Sequence, residues 1–410
     1  MRATTVLGIL SRLKNQETIV RGFVIEPNGT ITLDVVPRKR VGRCSICERK
    51  VHGCYDTRTR LWRHTDLGEH RVMLRYALRR LNCGTCGTPK TESVPWAEFG
   101  SWHTYDFEDL TAYSAQHMDA TRTAELMRVS WRTVGNIVRR VVARKLPDDR
   151  LDGLRHIGID ELSYKRHHEY VTVVVDHDRR RVAWCAPGKS GDTVREFFEA
   201  LGPQRVKKLK LVSIDMSAAY IAAVKECAPD ARIVFDRFHV QKLAHDALDE
   251  VRRALVRELA PDDPARRATK RTRFVLQKRP RNLTGEDVFK LADVARHNRP
   301  LFRAYLMKEK LAMLLDNVDA SAARRALHAW CNATVRSRVA PFVRAARTIR
   351  KHIDGVVAYI ETGLNNGRIE GMNGKIRVLT RRAYGFHDVW NFISMITLCC
   401  SGLNRKPRHA

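Results

Sequence analysis

Five runs decide the fold: LRHIGIDE (154–161), YVTVVVD (170–176), RVAWCA (181–186), LKLVSID (209–215) and ARIVFD (231–236). Each is a short apolar stretch rich in β-branched residues, the composition of a strand buried in a sheet. HDRR (177–180) is a polar turn, so the second and third runs form a hairpin. Asp192 to Ala200 and Ser217 to Cys227 read as helices, and another helix starts near Phe238. The expected order is a three-strand meander followed by alternating helices and strands. Three of the strands finish in acid, at Asp160, Asp215 and Asp236.

That order is the topology of the ribonuclease H fold. Sites in mixed α/β sheets form where strand ends converge. Carboxylates gathered there repel one another unless a cation lies between them. A hard, all-oxygen ligand set suits Mg²⁺ or Mn²⁺. Two such ions about 3.5–4 Å apart activate an attacking oxygen and stabilise the leaving oxygen of a phosphodiester. A last carboxylate is expected from a helix crossing the sheet, and NNGRIEGMNGKIR (365–377) supplies it. On that helix Glu370, Asn373 and Arg377 share one face. Glu361 is the alternative to Glu370, and Asp236 the alternative to Asp215 as a ligand. Glu161, Asp176 and Asp178 read as solvated or structural.

The composition agrees with a phosphate-bearing partner. The 410 residues hold 75 Lys and Arg against 45 Asp and Glu, a formal charge of +30. Such an excess on a foldable chain points to nucleic acid. Hydrophobic residues are 44% of the chain, enough for a sizeable core. No apolar run approaches the length of a membrane span, and Met1 to Arg12 lacks a secretory signal pattern. The expectation is a cytoplasmic, nucleoid-associated protein with no membrane partner and no small-molecule substrate.

Ten cysteines are too few for a disulfide scaffold. Four of them form two C-x-x-C pairs, Cys44 with Cys47 and Cys83 with Cys86. Four thiolates are the ligand set of a structural Zn²⁺. The 35 residues between the pairs (48–82) read as strands, which fits a zinc ribbon with an inserted hairpin. His52 and Cys54 are alternative ligands. Further on, Thr121 to Val129 and Trp131 to Val142 are amphipathic, and Ser130 is an N-cap candidate between them. This reads as a helix-turn-helix, or else as an ordinary three-helix packing unit. Arg132, Thr133, Asn136, Arg139 and Arg140 lie off its apolar face, available to a major groove. Arg128 stands where such turns often carry glycine.

Residues 240–355 read as helices punctuated by proline, an all-helical insertion. Within it Arg266, Arg267, Lys270, Arg271, Arg273, Lys278, Arg279 and Arg281 form a run with no acid. The run reads as phosphate contact or as a solvated loop. Trp330 reads as a core residue, with base stacking as the alternative. The stretch RVLTRRAYGFHDVWNFISMI (377–396) is expected to pack on the sheet with Arg381 and Arg382 toward DNA.

Taken in order, these motifs resemble a DDE transposase of the ISL-three family of bacterial insertion sequences. The carriers are GIDE at Asp160, SIDMSAAY at Asp215, VFDRFHV at Asp236 to His239, and NNGRIEGMNGKIR at Glu370. The cysteine pairs and the helix-turn-helix precede them in the family's order, and the likeness spans roughly residues 40–405. The resemblance implies Asp160, Asp215 and Glu370 as the catalytic triad, holding two Mg²⁺ or Mn²⁺. It implies Asp236 and His239, a D-x-x-H signature, as auxiliary residues, alongside Asn373 and Arg377. It implies metal-dependent cleavage and strand transfer on double-stranded DNA, at terminal inverted repeats and a target, by a homodimer or larger assembly. A regulator with an inactive core, or a nuclease that cuts without joining, are the alternatives.

The fold class is therefore α/β: a ribonuclease H-like core with a helical insertion, preceded by a zinc ribbon and a helix-turn-helix. The expected boundaries are an N-terminal segment at 1–40, the zinc ribbon at 41–100 and the helix-turn-helix at 101–150. The first part of the core follows at 151–239 and the insertion at 240–355. The helix carrying the catalytic Glu and the tail occupy 356–410.

Overall fold

The computed structural model describes residues 2–11, 13, 17–87, 89–165, 169–316, 319–364 and 367–403. They divide into two units. One comprises the chain up to Leu146 with Trp390–Cys399 and Leu403, the other Pro147–Val389 with Cys400–Gly402.

In the first unit helix α1 (Ala3–Leu10) precedes strands β1 (Thr18–Ile25) and β2 (Ile31–Pro37). The two-residue strands β3 (Gly42–Arg43) and β4 (Lys50–Val51) pair with each other. The inserted hairpin is long: β5 (Cys54–Leu67) and β6 (His70–Asn82) run antiparallel, and the short β7 (Pro89–Thr91) lies against β6. β2 joins β6 in parallel, with Leu33 opposite Leu74. Residues of the N-terminal segment therefore complete the hairpin's sheet, in the order β1-β2-β6-β5. Its core holds Leu33, Trp62, Leu74 and Trp96. His64 is fully buried between Thr104 Oγ1 (2.8 Å) and the Ser11 carbonyl (2.7 Å). Burial pushes its pKa down to about 4, so the ring is a neutral strut.

Three helices follow: α2 (Tyr105–His117), α3 (Ala120–Met127) and α4 (Trp131–Lys145). Ser130 caps α4, accepting from the Thr133 N–H at 3.2 Å. Val134, Ile137, Val138 and Val141 face the core of this bundle. Arg128 ends α3 in the left-handed region, with φ 53°. It adopts the conformation glycine would, and its guanidinium donates to the Glu69 carbonyl at 2.8 Å. Arg128→Gly is expected to hold stability within about 1 kcal/mol, whereas a β-branched Arg128→Val loses about 1–2 kcal/mol. Urea melts of the two variants measure this, and the reverse ranking would refute the account.

The last helix, α17 (Val389–Cys400), contributes to the first unit. Leu398 belongs to the bundle's core, with Met395 packed against it, and Gln116 donates to the Leu398 carbonyl at 3.0 Å. Gly135 of α4 faces Asn391, with room for no larger side chain unless Asn391 moves.

The second unit is built on a five-stranded sheet. Its strands are β8 (His156–Lys165), β9 (Glu169–Asp176), β10 (Arg181–Pro187), β11 (Leu211–Ile214) and β12 (Arg232–Phe235). The order is β10-β9-β8-β11-β12: the meander is antiparallel, and β8, β11 and β12 are parallel. Helices α5 (Gly191–Leu201), the short α6 (Pro203–Val206) and α7 (Ala218–Cys227) make the crossovers. The insertion consists of α8 (Arg237–Glu258), α9 (Pro264–Thr269), α10 (Arg273–Gln277), α11 (Gly285–His297), α12 (Arg299–Leu315), α13 (Ala320–Arg336), α14 (Ala340–Lys351) and α15 (Ile353–Thr362). It shares one apolar core with the sheet, from Ile157 and Val212 to Leu311, Phe342 and Val356. Trp330 lies in that core, 2% exposed, and donates to the Met307 carbonyl. α16 (Gly367–Arg382) then returns to β8.

Two glycines set how closely the helices approach. A Cβ at Gly158 would lie 1.9 Å from Ile369 Cδ1, 2.7 Å from His177 Nε2 and 2.8 Å from Ser213 Oγ, so any larger residue there must displace these three side chains. A Cβ at Gly355 would lie 2.3 Å from the Phe235 ring, which fixes α15 on β12 in the same way.

Candidate functional site

The strand register puts three aspartates in one row. Ser213 is level with Gly158, so Asp215 continues level with Asp160. Ile214 is level with Phe235, so Asp236 continues level with Asp215. Asp215 and Asp236 follow the carboxyl ends of β11 and β12, where an α/β sheet opens toward a ligand, whereas Asp160, expected to end its strand, lies within β8, which runs on to Lys165.

Each is held differently. Asp160 accepts from its neighbour Glu161 N–H at 2.9 Å and from Asn373 Nδ2 at 2.6 Å. Burial, opposed by these bonds and aided by nearby Asp215, raises its pKa. Asp215 accepts from the Ser217 N–H at 2.9 Å. Asp236 is buried, with Oδ2 3.6 Å from His239 Nδ1. This carboxylate raises the His239 pKa, with smaller contributions from Asp160 and Asp215. The His239 ring thus faces the acid row.

α16 brings the remaining candidates. Asn373 is 3% exposed and bridges from the helix to Asp160 across 213 positions of sequence. Glu370 lies one turn earlier and Arg377 one turn later, both exposed. The motif's Asn365 and Asn366 lie outside the described residues. Glu361, the alternative to Glu370, is committed elsewhere, in an ion pair with Arg232.

Glu161, expected to be solvated or structural, is half-buried next to Asp160. Burial first, then Asp215 and Asp160, push its pKa up to about 7. It is level with Thr172, whose hydroxyl is 3.2 Å from Tyr220 Oη. Adjacency to Asp160 was the only signal in the sequence, because strand alternation by itself sends neighbours to opposite faces. Asp176 and Asp178 keep the structural reading. Asp176 accepts from the N–H groups of Asp178 and Arg179, and Asp178 pairs with His156.

In the other unit the four cysteines converge. Cys44 and Cys86 Sγ are 3.8 Å apart and Cys47 and Cys83 Sγ 3.5 Å, with all four inside 4.8 Å. Tetrahedral zinc with Zn–S of about 2.3 Å requires sulfurs about 3.8 Å apart, so the set fits that ion. Backbone N–H groups of Cys86 and Thr85 lower the Cys83 thiol to about 6, and those of Cys47 and Ile46 lower Cys44. His52 and Cys54 are exposed and outside the cluster, with the Cys54 thiol turned to the Asp56 carbonyl. Among the described residues no other group of His, Cys, Asp and Glu reaches this spacing, and Asp160, Asp215 and Glu370 stand further apart.

The expected DNA contacts divide. Arg132, Asn136 and Arg139 are exposed on α4, and Thr133 is partly so. Arg140 is a correction: its Nε donates to the fully buried Glu108 at 2.7 Å, in a network with Arg144 and Asp109. In the insertion Lys278 pairs with Asp287 at 2.6 Å and Arg279 with Asp316 at 3.1 Å. Arg273 reaches Asp249 at 3.9 Å, and Arg267 donates to the Asp262 carbonyl. The run carries no acid of its own, but acids from elsewhere in the chain pair with three of its eight cations. Among the described residues Arg266, Arg267, Lys270, Arg271 and Arg281 pair with no carboxylate.

Comparison with known proteins gives three family matches. A model described as a transposase, of the ISL3 DDE type, matches residues 157–396. The helix-turn-helix domain of transposase family ISL3 matches residues 92–142. The zinc-finger of transposase IS204/IS1001/IS1096/IS1165 matches residues 40–86. The transposase for insertion sequence element IS1557 of Mycobacterium tuberculosis is 40% identical over 393 residues, covering 90% of this chain and 88% of that protein. The transposase for insertion sequence element IS1001 of Bordetella parapertussis is 30% identical over 378 residues, covering 92% and 93%.

Proposed function

The chain belongs to the ISL3 family of insertion-sequence transposases, and from that we propose how its residues divide the work of moving DNA. The second unit is the enzyme, a ribonuclease H-like core with its insertion. Asp160, Asp215 and Glu370 form its catalytic triad. The observation that carries this is the aspartate row joined by Asn373 to the helix bearing Glu370. A strand-end acid alone is an ordinary turn residue. Three at one level, with a buried amide tying in the helix of a fourth carboxylate, serve no packing purpose.

The donor set fits divalent cations: all oxygen, partly buried, and mutually repulsive without a positive charge between them. Two Mg²⁺ or Mn²⁺ bound there would supply activation of the attacking oxygen and stabilisation of the leaving oxygen. The chain's own groups do the positioning. Asn373 fixes the Asp160 carboxylate. Asp236 favours the protonated form of His239 beside the row. Arg377, on the exposed side of α16, meets a phosphate oxygen. Water attacks phosphorus at the element's end, the P–O3′ bond breaks, and the freed 3′-hydroxyl attacks a target phosphodiester in line.

The first unit recognises DNA. Arg132, Thr133, Asn136 and Arg139 of α4 read the terminal inverted repeats in the major groove. One Zn²⁺ held by Cys44, Cys47, Cys83 and Cys86 braces the ribbon. Arg266, Lys270, Arg271 and Arg281 contact backbone phosphates. The boundaries follow the motifs: ribbon at 41–100, helix-turn-helix at 101–150, core at 151–239 and 356–410, insertion at 240–355. No helix among the described residues is long and apolar enough to cross a membrane, in keeping with a cytoplasmic site of action. Two element ends need two catalytic sites, so the working form on DNA is at least a homodimer.

The test uses labelled DNA ending in the element's own repeat, incubated with the protein and Mg²⁺ or Mn²⁺. Nicks at the repeat boundary plus joined products are expected. Nicks without joining would leave a nuclease, and tight binding without strand chemistry under either metal would leave a regulator.

A further inference from the structure

Phe238 and Lys242 take no part in the site as described. Phe238 follows Asp236 by two residues, in the first turn of α8, and its ring is 57% exposed. It meets the His239 ring edge-on, with centroids 5.6 Å apart and planes at 83°. His239 in turn faces Asp236 at 3.6 Å and feels Asp160 and Asp215. The exposed ring therefore stands at the mouth of the acid row.

Lys242 lies one helical turn further, exposed and on the same strip of α8. Among the described residues it forms no ion pair. The adjacent strip looks elsewhere: Arg237 pairs with Asp316, and the Gln241 carbonyl accepts from Arg237 and Arg279. The start of α8 is thus anchored along one side. It presents an aromatic ring and an ammonium along the other.

A single exposed phenylalanine is ordinary surface. This one differs in its place, edge-on to the His239 ring, which in turn faces Asp236. The DNA substrate does bring flat apolar faces to that place. Its bases follow one another on a strand with a phosphate about every 3.4 Å. Stacking of a base on an aromatic side chain is worth about 5- to 150-fold in affinity.

We propose that Phe238 stacks on an unstacked base beside the scissile phosphate, while Lys242 holds an adjacent backbone phosphate. Together they register the strand end against Asp160 and Asp215. This rests on the reading that those carboxylates perform the strand chemistry. The pair supplies what the buried Trp330 does not, a ring open to a base.

The experiment uses the full chain and repeat-end DNA with 2-aminopurine placed in turn at each position flanking the cut. Ca²⁺ replaces Mg²⁺ for binding, and Mg²⁺ is added for nicking. Wild type is expected to change the fluorescence at one position. Phe238→Ala and Phe238→Leu abolish that change and slow nicking about 5- to 150-fold, with repeat binding by band shift retained. Phe238→Trp restores both signals, which a merely structural role would not allow. Lys242→Ala lowers the salt dependence of binding by about one phosphate contact. Wild-type fluorescence and nicking in Phe238→Ala overturn the proposal and leave the carboxylate reading intact. Absence of nicking by the wild-type protein defeats the carboxylate reading and this proposal with it.

Discussion

Asp160→Asn is expected to slow strand cleavage at least about a thousandfold, roughly 4 kcal/mol of transition-state stabilisation, with binding to repeat DNA unchanged. The substitution removes the charge that a divalent ion needs and keeps the shape. Its amide can still meet α16, because the Asn373 amide, whose Oδ1 is buried without a partner, is able to turn and accept from it. The fold also loses a buried carboxylate repelled by Asp215, so the metal-free variant should melt no lower than wild type. Loss of nicking with an unchanged melt and band shift assigns Asp160 to the chemistry. Cleavage within tenfold of wild type would remove Asp160 from the triad.

The second large effect concerns zinc. Structural Zn²⁺ contributes about 10–16 kcal/mol to the folding of isolated zinc-finger peptides, and here it has little help. β3 and β4 are two residues each, too short to persist alone. The hairpin sheet beside them has its own core around Trp62 and Trp96 and does not depend on the metal. Cys47→Ser, or chelation of the wild type, is therefore expected to unfold residues 42–51 and 83–87 locally while the sheet survives. Elemental analysis should give one zinc per chain in the wild type and far less in the variant. Hydrogen exchange should show protection lost in the two knuckles and kept in β5 and β6. A zinc-free protein with both knuckles still protected would refute a structural metal.

Much of the fold was legible because its signals are local. The five apolar runs became β8 to β12, and the proline-punctuated helices became the insertion. Ser130 capped α4 as its position implied. The left-handed Arg128 was harder, since its type argues against the conformation that the turn imposes. The basic run was misread in part for a physical reason. Its neutralising acids, Asp249, Asp287 and Asp316, lie 9 to 37 positions from their partners, beyond any window in which charge patterning is read. Arg140 failed likewise, its partner Glu108 being buried 32 positions away.

By itself the sequence determined the element types, the two cysteine pairs, the three aspartates on neighbouring strand runs and the family they belong to. These depend on periodicity, capping and spacing, which act over a few residues. Only the tertiary structure decided which groups meet. It levelled Asp160, Asp215 and Asp236 through strand register, and it joined Asn373 to Asp160 across 213 positions. It drew the N-terminal strands into the hairpin's sheet and gave α17 to the helical bundle. It also buried Trp330 and left Phe238 open. Such pairings follow from which apolar faces exclude water together, a property of the whole packed chain that no short segment carries.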